Sequence, residues 1–139
     1  ISWSLFTGGT GDATVRGTVL RYEPAPQKQT LGFWTRPTDA AAWTFTVRTP
    51  GTFTVEVLQG CGGGQGGSEM AVDVDAGGPK AVSLEFIVQD TGGFQSFRPR
   101  EVGAVTLEAG AHELRVAPKR IAKAAACDIR QIRLVPAAP

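Results

Sequence analysis

Residues 43–67 constrain the fold of this chain more than any other stretch of its sequence. In WTFTVRTPGTFTVEV, aromatic and branched residues alternate with threonine and charged residues on both sides of a Thr-Pro-Gly turn. A period of two places the apolar side chains on one face of an extended strand. The pattern therefore predicts a β-hairpin in the middle of a sheet, with Trp43, Phe45 and Phe53 in the core.

A glycine-rich loop follows this predicted hairpin. Residues 60–67 read GCGGGQGG, so only Cys61 and Gln65 interrupt the glycines. Backbone without side chains takes positive φ easily and approaches a ligand or a neighbouring loop closely. The loop lacks the Gly-Lys-Ser/Thr ending and the following helix of a phosphate-binding loop, which argues against a nucleotide site.

The remaining apolar runs are short and are separated by turn residues. Eighteen Gly and nine Pro favour many strands and turns over helices. Residues 119–126, KRIAKAAA, have good helix propensity but are too few for a stable helix, so we predict a loop or a short helical turn. We predict an all-β, antiparallel β-sandwich of roughly nine or ten strands, with a barrel as the alternative. The strands expected outside the first hairpin are residues 2–6, 13–22, 70–74, 82–88, 102–107, 112–116 and 129–135.

Three of these strands have further features. Residues 102–107 and 112–116 flank a Gly110 turn and look like a second hairpin. The apolar residues of the last strand change phase between Ile129 and Ile132, which indicates a β-bulge or a strand covered on both faces.

Length and composition indicate a single domain of residues 1–139. No stretch reaches the roughly 18 apolar residues of a membrane span, so we expect no membrane segment. We also expect a monomer. Because the chain begins at Ile1 and not at Met, we expect that it was excised from a longer, multidomain protein.

A series of motifs resembles the non-catalytic carbohydrate-binding modules of families 6 and 35. Most specific are TGGFQSF and VTLEAGAHELRV; the others are Gly-Phe, WTFTV, PGTFTVEV, the glycine loop and CDIRQIRL, in the same order. The sequence of these motifs most resembles that of the module that follows the catalytic domain in some bacterial α-L-fucosidases and sulfatases. The resemblance covers about residues 14–134 and implies a galactose-binding-like jelly roll, secreted to the outside of the cell or to the periplasm.

In the resembled family, two aromatic side chains hold a sugar ring on loops at one end of the sandwich. The matching positions are Phe33, with Trp34 beside it, and Phe94 or Phe97. We expect Trp34 to be the exposed aromatic of its pair. A pyranose packs its C–H face on an aromatic plane while its hydroxyls bind fixed polar groups. The polar candidates are Gln65, Gln95, Arg98 and Arg100.

Three positions depart from the family pattern. Phe94 and Phe97 stand where the family usually has tryptophan, and Ala126 falls near an asparagine of the family that binds sugar. The family's structural calcium site usually includes an acidic first strand, which SWSLF lacks. Asp128 matches the family's aspartate in the last strand, so a structural Ca²⁺ at Asp128 is an open alternative.

The charges point to an anionic glycan. Residues 1–97 carry six Lys and Arg against nine Asp and Glu, whereas residues 98–139 carry eight against four. The basic side chains near the predicted site would suit a sulfated or uronate-containing polysaccharide; the alternative is that they solubilise a loop. They are Arg98, Arg100, Lys119, Arg120 and Lys123. A net charge of +1 with few aromatics argues against nucleic acid.

Nothing in the sequence indicates an enzyme. His112 is the only histidine, and no nucleophile motif or metal-binding spacing accompanies it. We therefore predict a binding module, covalently linked to a catalytic domain. The alternative is a structural domain that packs against a neighbouring catalytic domain and has no ligand of its own.

The two cysteines fall at the ends of predicted strands. Cys61 ends the central strand and Cys127 begins the last one, so the two lie at the same end of the sheet if these strands are antiparallel neighbours. A disulfide would then stabilise the fold by roughly 4 kcal/mol. The alternative is a pair of buried free thiols.

Overall fold

The computed structural model describes residues 6–9, 14–16, 21–23, 30–32, 34 and 39–137, apart from the side chains of the first four segments and of Gln95. Within these ranges there is no helix, and so none that could cross a membrane. Eleven strands account for most of the described chain. They are β1 (Phe6–Gly9), β2 (Thr14–Arg16), β3 (Arg21–Glu23), β4 (Thr30–Gly32), β5 (Ala40–Val47), β6 (Gly51–Cys61), β7 (Glu69–Val74), β8 (Val82–Ile87), β9 (Gly93–Leu107), β10 (Gly110–Arg120) and β11 (Asp128–Pro136).

The strands form two sheets that pack face to face. One sheet has the order β3-β4-β11-β6-β9, with β1 paired to β11, and the other has the order β2-β5-β10-β7-β8. Every pairing is antiparallel. The predicted antiparallel β-sandwich is therefore confirmed.

Both predicted hairpins are wrong. β5 lies between β2 and β10 in one sheet, whereas β6 lies between β11 and β9 in the other, so residues 48–50 carry the chain across the core. Residues 108–109 do the same between β9 and β10. The same alternation of apolar residues occurs in two strands that face each other across a core and in two strands that lie side by side in one sheet. The predicted interior position of β5 and β6 within their sheets is confirmed.

The apolar faces of the sheets form one core. Trp43 and Phe53 are almost fully buried, as predicted, and Phe45 is partly buried against the core. The register of β11 against β6 shifts between Ile129 and Gln131, which confirms the predicted bulge. Because of this shift, Ile129 and Ile132 both point into the core although they are three residues apart.

The first strands differ from the prediction in their bounds. The expected strand 2–6 lies outside the described residues except for its last position, and β1 continues through glycine to Gly9. The expected run 13–22 contains two separate strands, β2 and β3. In the segment 119–126, β10 ends at Arg120 and the following residues form a loop, in agreement with the sequence.

Polar side chains close the gap between the sheets along one edge. Arg100 Nη1 donates to the carbonyl oxygen of Ile87 (2.8 Å) and to Gln59 Oε1 (3.3 Å), and its guanidinium lies 5.7 Å from the centre of the Phe86 ring. Gln59 Nε2 donates to the carbonyl oxygen of Gln89 (3.1 Å), and the Gln89 amide donates back to Gln59 Oε1 (2.9 Å). The predicted sugar-binding residue Arg100 therefore directs its guanidinium between the sheets, where it links β9 to β8.

Candidate functional site

Among the described residues, four connections or parts of connections meet at one end of the sandwich, which we call the loop end. Because neighbouring strands are antiparallel, the carboxyl end of one strand lies beside the amino end of the next. The connections that meet there are residues 62–68 between β6 and β7, 88–92 between β8 and β9, 121–127 between β10 and β11, and the segment that contains Trp34. This is the end at which the sequence placed the sugar site.

Asp90 joins two of these connections. Its Oδ2 accepts a hydrogen bond from the Gly64 amide (2.6 Å), and its Oδ1 accepts one from the Gly92 amide (2.8 Å). These two hydrogen bonds hold the pKa of the Asp90 carboxyl below its ordinary value. The next residue makes a second such contact: Thr91 Oγ1 accepts a hydrogen bond from the Cys61 amide (2.9 Å).

The glycine loop is also fastened to residues 121–127. Gln65 Oε1 accepts a hydrogen bond from the Ala124 amide (2.9 Å), and the buried Ser68 Oγ accepts one from the Ala122 amide (3.0 Å). The Gln65 amide itself donates to the carbonyl oxygen of Gly62 (2.9 Å), which closes a turn within the loop. Gln65, a predicted sugar-binding residue, is therefore part of the loop end and also holds it together.

Phe94 supplies a partly exposed aromatic ring at the loop end. The ring packs so closely on Gly62 that a β-carbon there would lie 2.5 Å from Phe94 Cε2. The pairing of β9 with β6 jumps from Phe97 opposite Gly60 to Gly93 opposite Cys61, so the intervening residues bulge out of the ladder. This bulge and the bare glycine together place the Phe94 ring.

Phe97 lies next to this bulge and is covered by a cation. The Arg130 guanidinium carbon lies 4.2 Å from the centre of the Phe97 ring, a close cation–π contact. A β-carbon at Gly60 would lie 3.3 Å from Phe97 Cδ1. One face of the Phe97 ring is thus occupied by Arg130, whereas the partly exposed Phe94 ring lies against Gly62.

The expectation that Trp34 is exposed is wrong. Its side chain is fully buried, and its indole N–H donates to the carbonyl oxygen of Asp39 (2.9 Å). Its own carbonyl oxygen accepts from the Ala126 amide (2.8 Å). A buried indole whose N–H has an internal partner stabilises the loop end from within and offers no surface to a sugar. Phe33 and the side chain of Gln95 lie outside the described residues.

Ion pairs within the fold use two of the five predicted cations. Lys119 pairs with Glu85 and Arg120 Nε pairs with Glu69 (2.6 Å). The hydrogen bond with Glu85 raises the pKa of Lys119, and the hydrogen bond with Arg120 lowers the pKa of Glu69. Arg98 and Lys123 are exposed and make no ion pair with another described residue.

The predicted calcium site stays a prediction. Asp128 is largely buried at the start of β11, but no group of three or more His, Cys, Asp or Glu side chains that could hold a metal ion occurs among the described residues. The expected strand 2–6, at the position that the resembled family uses for calcium, lies outside those residues except for Phe6.

The cysteines lie as the sequence predicted, at the same end of two antiparallel neighbours. Asp128 pairs with Gly60, so Cys127 follows opposite Cys61 in the same register. Both are buried free thiols. Burial raises the pKa of each thiol, and the nearby Asp128 carboxylate raises both further.

Asp90 is the site residue that sequence reasoning missed. The signal for it was local: in Asp-Thr-Gly-Gly, an aspartate two residues before a glycine commonly accepts that glycine's amide hydrogen bond. The hydrogen bond to Gly92 is of this kind. The hydrogen bond to Gly64, 26 residues away, required the folded structure.

Comparison with solved structures supports the fold, whereas comparison of the sequence alone finds no relative. No family model matches the sequence, and no curated protein matches it. A family 6 module from Cellvibrio mixtus lichenase 5A, solved with cellotriose, aligns over 99% of this chain and 100% of its own, with TM-score 0.73 and 17% identity. A family 35 module from Clostridium thermocellum aligns over 96% and 100%, with TM-score 0.75 and 16% identity.

The fold is that of a carbohydrate-binding module. A third structure, the Podospora anserina β-(1,4)-mannanase of the GH26-CBM35 type, aligns over 96% of this chain but only 28% of its own, with TM-score 0.67 and 19% identity. Modules of this fold thus occur both as separately solved domains and as parts of enzymes. At these identities the comparison establishes the jelly-roll fold and does not identify a ligand.

Proposed function

We propose that this protein is a non-catalytic carbohydrate-binding module that binds a polysaccharide at its loop end. The observation that carries the proposal is the Phe94 ring, which is partly exposed and held against Gly62 among loops fastened to one another. An aromatic plane on a rigid support suits the C–H face of a pyranose, whose hydroxyls then bind nearby amides and side chains. The fold of the solved modules supports the same reading.

The proposed ligand carries sulfate or carboxylate groups. Arg98 and Lys123 support this, because they are exposed at or beside the loop end and no described carboxylate neutralises them. Arginine pairs with such anions through charge-assisted and often bidentate hydrogen bonds. Lys119 and Arg120 contribute less than their sequence positions suggested, since each already has a carboxylate partner.

We further propose that the module, one monomeric domain of residues 1–139, serves a secreted carbohydrate-active enzyme to which it is covalently attached. The resemblance to modules of α-L-fucosidases and sulfatases motivates this, and the mannanase shows the same fold within an enzyme chain. The attached enzyme would provide the chemistry. His112, the one histidine, has both ring nitrogens engaged by Asp75 and by the Glu108 carbonyl oxygen.

Affinity gel electrophoresis tests the proposal with neutral, sulfated and uronate-containing polysaccharides at low and moderate salt. We expect retention by an anionic polysaccharide that falls about tenfold or more in Phe94→Ala, which corresponds to about 1.4 kcal/mol. Arg98→Ala should weaken retention and its salt dependence. Arg48→Ala, an exposed arginine at the opposite end of the sandwich, is the matched control and should behave as wild type.

The pattern of retention distinguishes an anionic ligand, a neutral ligand and a domain without a ligand. Retention by neutral polysaccharides alone, or retention indifferent to Arg98→Ala, would rule out the anionic ligand while leaving the binding module in place. Retention by none of them would favour an interface domain. The described surface gives that alternative little support, because Ile87 is its one large exposed apolar side chain.

A further inference from the structure

Asp90 makes its contacts without contributing to the core. The residue is exposed, and the contacts of its carboxylate are the two backbone amides of Gly64 and Gly92. Removing the carboxylate would therefore leave no cavity in the sandwich. What it would remove is a link between residues 62–68 and the segment that leads into β9.

The glycine loop needs such a link because it has almost no side chains to pack. Gly64 and Gly67 have positive φ, at 79° and 101°, and space around Gly63 and Gly64 is open. Gly62, Gly63 and Gly64 have no side chains, so this part of the loop is held by hydrogen bonds of its backbone groups. A carboxylate is the strongest acceptor for two amides at once, since each oxygen takes one charge-assisted hydrogen bond.

The two hydrogen bonds of Asp90 lie close in sequence to both partners of the contact between Phe94 and Gly62. Gly64 lies two residues after Gly62, on which the Phe94 ring rests, and Gly92 lies two residues before Phe94. Asp90 thus ties the chain near both partners of that contact. We propose that Asp90 is the positioning residue of the loop end: its carboxylate clasps the two loops so that the Phe94 ring is held on Gly62 in the orientation that a sugar requires.

This proposal rests on the proposed function, and the structure predicts how it depends on pH. The hydrogen bonds from Gly64 and Gly92 lower the pKa of Asp90, so the clasp is intact at neutral pH and opens as pH falls through that lowered value. Among the described titratable groups with a shifted pKa, the one on which the Asp90 charge acts is the Cys61 thiol. Burial and the carboxylates raise its pKa, so it stays protonated throughout this range.

The first test is an NMR titration of the amide signals of the whole chain. We expect the Gly64 and Gly92 amide protons to shift together with a single midpoint below the ordinary aspartate pKa of about 3.9. Asp90→Asn should abolish both shifts, because the asparagine side chain does not ionise, and its single acceptor oxygen cannot replace both carboxylate oxygens. Asp73→Asn is the matched control, since Asp73 lies within β7 and approaches Arg115 (3.9 Å). Separate midpoints, or titration that persists in Asp90→Asn, would overturn the clasp.

The second test is retention of Asp90→Asn on whichever polysaccharide retains wild type. We expect retention to fall about tenfold while the melting temperature changes by no more than about 2 °C. Wild-type retention should decline at low pH with the midpoint of the amide titration. Unchanged retention in Asp90→Asn would refute the positioning role even if the clasp exists. If no polysaccharide retains wild type, the proposed function fails and the positioning role with it, whereas the NMR result still decides the clasp.

Discussion

Because the chain has a single histidine, the effect of imidazole titration on stability can be assigned to His112. His112 Nδ1 lies 2.6 Å from Asp75 Oδ2, and His112 Nε2 lies 2.7 Å from the carbonyl oxygen of Glu108. Both partners are acceptors, so both ring nitrogens must donate, which only the protonated imidazolium does. Asp75 is held in turn by the Glu113 amide (3.0 Å), and the Glu108 carboxylate pairs with Lys80.

These contacts set the sign of the pH effect. Burial alone would lower the pKa of His112, but the hydrogen bonds to Asp75 and Glu108 and the nearby carboxylates outweigh it and raise the pKa above 6.5. A raised folded pKa means that the stabilisation is complete below about pH 6.5, the unfolded value, and is lost as pH rises through the folded value. The free energy of unfolding should therefore fall as pH rises from about 6.5 through the raised pKa of His112.

The substitution His112→Gln measures the size of the effect. Its side chain is only 11% exposed, so replacing the charged donor should cost about 2 kcal/mol at pH 5.5, the typical worth of a hydrogen bond to a charged group. The cost should shrink at a second pH above the raised pKa of His112, where wild type has lost the same proton. Urea unfolding of both proteins at the two pH values gives the difference, and NMR of the one imidazole gives its pKa. An imidazole that titrates at or below 6.5, or a cost that does not change with pH, would refute the reasoning.

Three further predictions concern buried groups. Neither Cys61 nor Cys127 should react with a thiol reagent in the native protein, and both should react after denaturation without reductant; a count of zero in denaturant would show a disulfide. Trp34→Ala should lower the free energy of unfolding by about 3–5 kcal/mol in urea, whereas an exposed tryptophan would change it little. Gly60→Ala should destabilise the protein by about 1–3 kcal/mol, since its β-carbon would meet a backbone oxygen at 2.4 Å. Gly63→Ala, with open space around it, is the control and should be close to neutral in the same thermal melts.

Sequence periodicity predicted the strands well and their partners poorly. Alternation in WTFTV and TFTVEV shows which side chains face the core, and Trp43 and Phe53 do so. It does not show whether the next strand lies beside the first or across the core from it, because both arrangements bury the same side chains. For that reason the two strands were predicted as a hairpin and are found in different sheets.

The surroundings of two single residues could not be predicted for the same reason. An extended Phe-Trp pair must point one side chain inward, but only the folded chain shows that Trp34 is the buried one and that its indole finds the Asp39 carbonyl oxygen. Arg100 was predicted to lie beside the sugar site, and only the folded chain shows that its guanidinium reaches β8, where the edge strands β8 and β9 approach each other. Long-range partners decided both cases.

The two ends of the sandwich are fastened by groups with opposite responses to pH. At the loop end the Asp90 carboxylate must be ionised to accept two amides, and its lowered pKa places the loss of that clasp on the acid side. At the other end His112 must be protonated to donate to Asp75 and Glu108, and its raised pKa places the loss of that contact on the alkaline side. Both are intact only between the two pKa values, a range that includes pH 6.

Binding should be lost at the acid limit, because the Phe94 ring lies at the loop end that Asp90 holds. The free energy of unfolding should instead fall at the alkaline limit, because His112 is nearly buried and Asp90 is exposed. The two limits are therefore separable: Asp90→Asn should remove the acid limit of binding and leave the alkaline limit of stability, and His112→Gln should do the reverse.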